Sequence, residues 1–251
     1  MPFADNQGVR IYYQLEGQGP PLVLLHGFSM TSEDWREFGY VAGLQDHYTL
    51  ILIDARGYGD SDKPYDPNAY LWQSLASDVI AVLDVLRLSR VHYWGWSWGG
   101  GIGFALAEDW PERLNTVVLG GTSAWPARTP DQPNGLLELL EQGGTAQLVE
   151  LWKQHLPISA EHEARLRRLD IQALKAERRA LLSSLEAIPP RMRMPCLLYI
   201  GEAEDDYAGA LHDSQRIPNA KFITFPNFNH FDTWARSDVV LPHVLEFLGA
   251  G

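Results

Sequence analysis

A serine set between glycines is the first feature of this chain that could carry chemistry. It is Ser97, in the stretch Gly95-Trp96-Ser97-Trp98-Gly99. Residues 91–94 have the β-branched and aromatic composition of a strand, and a helical segment, 98–109, follows the serine. A serine on a sharp turn between a strand and a helix is exposed as a nucleophile, and that strained turn needs small residues two positions away on either side. We therefore predict Ser97 as a nucleophile.

A serine nucleophile needs a base, because its hydroxyl does not ionise near neutral pH. The chain has eight histidines, and His230 is the candidate because it follows the last predicted strand, residues 222–225. His26 is expected to shape the backbone of a loop, and His92 to be structural. A carboxylate must hold the imidazole in the right tautomer. The segment 201–206 offers four of them: Glu202, Glu204, Asp205 and Asp206.

Two backbone N–H groups are predicted to stabilise the negative charge that such a serine would create on a carbonyl oxygen. His26-Gly27-Phe28 directly follows an apolar run, 22–25, which places the Phe28 N–H near the serine. The Trp98 N–H comes next after Ser97, at the start of a helix. Loss of one such donor typically costs about 10²–10³ in rate, so these amides matter almost as much as the side chains.

Positioning these residues requires a mostly parallel sheet flanked by helices. Short aliphatic and β-branched runs alternate with segments of helical period, which predicts an α/β fold. The four glycines of 98–109 indicate a helix whose backbone packs very close to a neighbour. Other helices are expected at 70–87 and after Ser237-Asp238. The predicted strands are 9–15, 22–25, 49–53, 91–94, 116–119, 196–200 and 222–225.

One region interrupts the alternation of strands and helices. Residues 125–193 contain no predicted strand, only a proline-rich entry and helices at 135–155 and 160–185. We predict that this insertion is a helical cap on a core formed by 1–124 and 194–251, because loops at that edge of a sheet usually shape the site. The many Arg and Glu residues of 161–179 are expected to form a solvated helix face.

Several motifs occur in an order that resembles the α/β-hydrolase fold family over nearly the whole chain. They are His26-Gly27, Asp54-Ala55-Arg56-Gly57-Tyr58-Gly59-Asp60-Ser61, Gly-Trp-Ser-Trp-Gly-Gly from Gly95, Gly201-Glu202-Ala203 and Asn229-His230. The resemblance fits the branch of esterases, lactonases and C–C bond hydrolases. It implies that Asp54 and Arg56 organise a loop and that the chain order is nucleophile, acid, base.

The resemblance also bears on the acid and on the pocket. The acid of this family usually falls three residues after the glycine of the strand end, which favours Glu204, although aspartate is the more common residue type. A small shift of the turn would present Asp205 instead, so both stay open. Trp98 stands where Met or Gln is more familiar and would place an indole beside the acyl pocket. We expect an aromatic pocket lined by Trp96, Trp125, Trp152 and Phe231.

The resulting expectation is a serine hydrolase that cleaves a small uncharged ester, thioester or lactone through an acyl-enzyme. Serine at position 97 argues against epoxide hydrolases and haloalkane dehalogenases, which carry aspartate there. A C–C bond hydrolase and a cofactor-free haloperoxidase keep the serine and stay open. So does a different class, a ligand receptor that kept the fold without turnover, because fold does not fix function.

The composition limits the classes of molecule that this protein is expected to bind. The formal charge is −12, from 20 basic and 32 acidic residues, which disfavours nucleic acid and anionic membranes. The N-terminal residues lack the pattern of a signal peptide and no apolar run has the length of a membrane span, so a cytoplasmic location is expected. Cys196 lies in an apolar run and is expected to act as a small hydrophobe. A small-molecule substrate is predicted, with no cofactor, no metal and no prediction of oligomeric state.

Overall fold

The computed structural model describes residues 2–124, 133–180 and 182–249. In this part of the chain an eight-stranded sheet has the order β1-β2-β4-β3-β5-β6-β7-β8. The strands are β1 Phe3–Asn6, β2 Val9–Gly17, β3 Pro21–Leu25, β4 Thr49–Ile53, β5 Val91–Trp96, β6 Leu114–Gly120, β7 Cys196–Gly201 and β8 Ala220–Phe225. The helices are α1 Ser32–Glu37, α2 Tyr40–Leu44, α3 Trp72–Val85, α4 Trp98–Asp109, α5 Gly135–His155, α6 Ala160–Arg168, α7 Ile171–Arg179, α8 Tyr207–Ser214, α9 His230–Ala235 and α10 Ser237–Gly249.

The sheet is parallel from β4 through β8, and β2 joins it antiparallel to β4. The central strands β3, β4, β5 and β7 are buried along nearly their whole length. Continuous aliphatic and aromatic runs form such strands because helices cover both faces of a parallel sheet. The predicted α/β fold is confirmed, and each predicted strand lies within an observed one.

The sequence prediction missed β1. This strand is four residues long, Phe-Ala-Asp-Asn, and pairs antiparallel with β2 so that Asn6 faces Val9. Gln7 and Gly8 form the two-residue turn with φ of 54° and 86°, the backbone that a tight hairpin requires. So short a strand with two polar residues has no periodic signal of its own, and only its pairing with β2 defines it.

Between β6 and β7, the described residues form the helices α5, α6 and α7. The single helix predicted over 160–185 is wrong, because the structure has α6 and α7 with a break at Leu169 and Asp170. Asp170 begins α7 by accepting hydrogen bonds from the N–H groups of Gln172 and Ala173. Within the described ranges, no helix is both long and apolar enough to cross a membrane.

Buried aromatic side chains pack around the carboxyl end of the sheet. Trp35 contacts Tyr40, Trp94 and Trp234 with ring centroids 4.8–5.2 Å apart. Trp234 in turn lies 5.3 Å from Trp96, the residue before Ser97. The core therefore extends without a break to the turn that carries the serine.

Candidate active site

Ser97 occupies a strained turn between β5 and α4, with φ 50° and ψ −111°. A Cβ on Gly95 would approach the carbonyl oxygen of Gly99 to less than 3.0 Å, and one on Gly99 would approach the carbonyl oxygen of Leu25 as closely. Real Cβ atoms do not come so near, so both positions need glycine. This close packing agrees with the glycine-rich start predicted for the helix.

A continuous line of hydrogen bonds joins three side chains from three separate segments: the turn after β5, the turn after β7 and the start of α9. Nε2 of His230 lies 3.1 Å from Oγ of Ser97, and Nδ1 of His230 lies 2.6 Å from Oε2 of Glu204. With Nδ1–H donating to the carboxylate, Nε2 is left to accept the serine proton. The Trp96 ring stacks on the imidazole, with centroids 4.8 Å apart and planes inclined by 28°. The two hydrogen bonds and the stacked indole together fix the orientation of the imidazole ring.

Glu204 is the carboxylate that meets His230. Its side chain is 2% exposed, and its second oxygen, Oε1, accepts a 2.8 Å hydrogen bond from the Gly201 N–H. Asp205 is exposed and forms no hydrogen bond with His230, although it lines the cavity around Ser97. The geometry thus favours the first of the two open alternatives and places Asp205 at the cavity wall.

The residues that carry the predicted oxyanion donors line cavities together with the serine, Phe28 in one and Trp98 in the other. Gly27, the residue before Phe28, packs so closely that a Cβ on it would be 3.2 Å from Cβ of Ser97. Trp98 is the first residue of α4, where backbone N–H groups have no partner within the helix. Across the described residues, neither the Phe28 nor the Trp98 N–H donates to another protein atom.

The loop that carries Phe28 is held by the residues that the sequence assigned to structure. Nε2 of His26 accepts a hydrogen bond from the Ala55 N–H, and Asp54 accepts from the N–H groups of Ser32 and Asp60. Burial lowers the pKa of His26, which keeps its imidazole neutral and able to accept. Arg56 forms a buried ion pair with Asp78 at 2.5 Å.

Ser97 and His230 line two cavities. The larger, of about 590 Å³, is bounded by Trp98, Arg178 and the carboxylates that follow β7. The smaller, of about 180 Å³, is apolar, and its walls include the predicted pocket residues Trp96, Trp152 and Phe231. Trp125, the fourth predicted pocket residue, lies outside the described residues.

Sequence reasoning missed Glu177 and Arg178. The expectation of a solvated face over 161–179 is wrong at these positions, because Glu177 is 1% exposed and Arg178 lines the larger cavity. Ala173, Leu174 and Ala176 are buried beside them. A helical projection of α7 places Glu177 on the same apolar stripe, and this position is the sequence feature that predicts its burial.

One group of side chains has the composition of a metal site. Asp34, Glu37 and His162 offer ligand atoms within 4.8 Å of one another. The guanidinium of Arg165 already lies between the carboxylates, 3.2 Å from Asp34 and in close contact with Glu37. A cationic side chain therefore occupies the position that a metal ion would take.

The chain belongs to the alpha/beta hydrolase fold family, whose profile matches residues 20–236. The pimeloyl-[acyl-carrier protein] methyl ester esterase of Aeromonas hydrophila is 34% identical over 182 residues, 68% of this chain and 67% of that protein. A putative non-heme chloroperoxidase of Synechocystis sp. is 26% identical over 97% of this chain and 96% of its own.

A solved structure shares the whole fold. The enol-lactonase of Burkholderia xenovorans LB400 superposes with a TM-score of 0.87 at 23% identity, over 99% of this chain and 100% of that one. Some curated relatives match only in part, as with bifunctional epoxide hydrolase 2 of Sus scrofa, of which 23% is covered at 30% identity. Membership of this family supports hydrolytic activity.

Proposed function

We propose that this protein is a serine hydrolase that cleaves a small uncharged carboxylic ester, thioester or lactone. The observation that carries the proposal is the hydrogen-bonded line from Ser97 through His230 to Glu204. Oγ of Ser97 attacks the substrate carbonyl while Nε2 of His230 takes its proton, and Glu204 stabilises the imidazolium that forms. The Phe28 and Trp98 N–H groups bind the oxyanion.

The reaction then passes through an acyl-enzyme. The tetrahedral intermediate collapses, His230 returns the proton to the leaving oxygen or sulfur, and the acyl group stays bound to Oγ of Ser97. A water molecule attacks this ester with His230 again as base. The acid leaves, and the proton returns to the serine, so that the cycle consumes one water per bond cleaved.

The sizes and linings of the two cavities support the proposal that the substrate is uncharged and has one small apolar group. An ester has a group on each side of its carbonyl, and Ser97 stands where the smaller and larger cavities meet. Aromatic walls around about 180 Å³ suit a short apolar group. We further propose a free small-molecule substrate, in keeping with a net charge of −12, which disfavours nucleic acid and anionic membranes as partners. A cytoplasmic location is also proposed.

The test is hydrolysis of p-nitrophenyl acetate and butyrate and of a γ-lactone by the wild type and Ser97→Ala. The variant should lose about 10⁴-fold or more in kcat, and a fluorophosphonate probe should label the wild type only. Ser214→Ala, at a position outside both cavities, is the matched control and should keep activity and labelling. Full activity of Ser97→Ala would refute the mechanism, and absence of turnover and labelling in the wild type would favour a ligand receptor.

A further inference from the structure

Arg178 contacts both residues of the proposed oxyanion hole. Its guanidinium carbon lies 4.6 Å from the centre of the Phe28 ring and 4.5 Å from that of the Trp98 ring. Phe28 belongs to the loop after β3, and Trp98 begins α4, whereas Arg178 comes from α7. One side chain of an inserted helix therefore joins two elements of the core at the point where their N–H groups must converge.

A buried carboxylate holds this guanidinium in place. Glu177 accepts a 2.7 Å hydrogen bond from Nη2 of Arg178 on one oxygen and a 2.6 Å hydrogen bond from the Tyr58 hydroxyl on the other. The Tyr58 ring in turn meets the edge of His26, with centroids 5.0 Å apart. A carboxylate this deeply buried requires such partners. The contacts that hold Arg178 in place therefore lead, through Tyr58 and His26, to the loop that carries Phe28.

The chemistry of the contact suits arginine. A guanidinium is planar and delocalised and stacks on aromatic faces, whereas the ammonium of lysine is a compact, strongly hydrated charge. Trp98 is flanked on another side by Trp72, at 4.7 Å. The Trp72 indole N–H donates to the carbonyl of Ser183, a second contact from the chain that follows α7.

We propose that Arg178 is a positioning residue that fixes the spacing of the two oxyanion donors, Phe28 and Trp98, from the helical insertion. The inference rests on the proposed serine hydrolase function. Recognition of an anionic substrate is the competing role, but Glu204, Asp205 and Asp206 line the same cavity. Those carboxylates oppose a second anion there, so positioning is the role that the surroundings favour.

Kinetics of Arg178→Met and Arg178→Lys on uncharged p-nitrophenyl acetate test this inference. Misplaced donors weaken transition-state binding and leave ground-state binding intact, so kcat should fall about 10–100-fold with KM nearly unchanged. Lysine keeps the charge without the stacking and should therefore also lose kcat, whereas full activity of the lysine variant would point to a role of the charge alone. The matched control is Arg179→Met on the same helix, whose side chain is 49% exposed and pairs with Glu141; it should keep wild-type kinetics.

A second readout does not depend on turnover. Arg178→Met should speed hydrogen exchange in peptides spanning residues 27–31 and 98–103, whereas Arg179→Met should not, with each variant measured at the same interval below its own melting temperature. Unchanged exchange and unchanged kcat would overturn the inference, as would a rise in KM alone for a carboxylate-bearing ester, which would assign Arg178 to substrate binding. Failure of the proposed function is distinguished by the absence of fluorophosphonate labelling in the wild type.

Discussion

Ser97 takes a backbone conformation that few side chains tolerate, and its neighbours make that conformation possible. Its φ of 50° and ψ of −111° carry a strain of about 1–3 kcal/mol. Packing of α4 against the end of β3 holds the turn, because Gly99 lies against the backbone of Leu25. The exposure of the hydroxyl therefore depends on glycine two residues away.

Gly99→Ala should destabilise the protein by about 3 kcal/mol or more, since the added methyl group meets backbone that cannot move aside. Urea denaturation measures the effect. Gly135→Ala is the matched control, because open space surrounds Gly135 and alanine favours the helix that it begins. That control should be neutral or more stable by up to about 1 kcal/mol. Equal stabilities for the two variants would contradict the packing argument.

The acid of the hydrogen-bonded line can be identified by two single substitutions. Glu204→Gln keeps the side-chain length but replaces the charge that stabilises the imidazolium, so kcat should fall by about 10³–10⁴-fold. Asp205→Asn should leave kcat within about threefold of the wild type, because Asp205 forms no hydrogen bond with His230. Ester hydrolysis at neutral pH measures both. The reverse order of losses would assign the role to Asp205.

At the scale of elements, the break between α6 and α7 sets where Glu177 and Arg178 point. The Asp170 side chain accepts hydrogen bonds from two N–H groups of the first turn of α7 and one from the Tyr65 hydroxyl. A cap of this kind satisfies the first N–H groups of the helix that it begins, so α7 starts as a separate helix directly after α6. The orientation of α7 over Phe28 and Trp98 follows from it.

Asp170→Ala should therefore lower the free energy of unfolding by about 1 kcal/mol through loss of the cap. Urea denaturation gives this value, and Asp170→Asn, which can still cap, should lose only a few tenths. We also expect kcat on p-nitrophenyl acetate to fall in the alanine variant, because a frayed α7 releases Arg178. A stability loss with no change in kcat would contradict the inference that this cap positions Arg178.

The elements with a strong periodic or apolar signal could be predicted from sequence, and so could the residues that belong to motifs. Continuous apolar runs such as β3 and β4 predicted the central strands, and Ser97 and His230 were predicted by their position relative to strand ends. The acid was narrowed only to Glu204 or Asp205, because one residue of turn geometry separates them. β1 was missed because pairing with a distant strand defines it. Arg178 was missed because its role depends on which core residues α7 packs against. The sequence of α7 alone does not determine that packing.

At the scale of the whole molecule, the core that stabilises the fold also fixes the site. The ring of Trp234 lies between Trp35 and Trp96, and Trp96 stacks on His230. The Tyr40 hydroxyl donates to the carbonyl of Trp234 at 2.8 Å. This hydrogen bond fixes Trp234 near the end of α9. A loss of core packing here would move the base as well as lower stability.

The same burial makes stability depend on pH. Burial lowers the pKa of three histidines, His26, His92 and His162. The folded chain therefore keeps them neutral, whereas the unfolded chain binds protons at them below about pH 6.5. Because the unfolded state then binds more protons, the stability that these residues contribute is present above that pH and is lost as the pH falls.

His162→Gln isolates one of these contributions. His162 is 1% exposed and packs against Trp152 and Phe38, and glutamine there cannot bind the proton. Each such histidine lowers the stability by at most about 1.4 kcal/mol for each pH unit below its unfolded pKa. Melting temperatures between about pH 5.5 and 7.5 should thus decline less steeply for the variant than for the wild type, whatever its stability at neutral pH. His47→Gln, at an exposed position, should keep the wild-type slope, and a parallel pair of curves for His162→Gln would show that His162 is protonated in the folded chain.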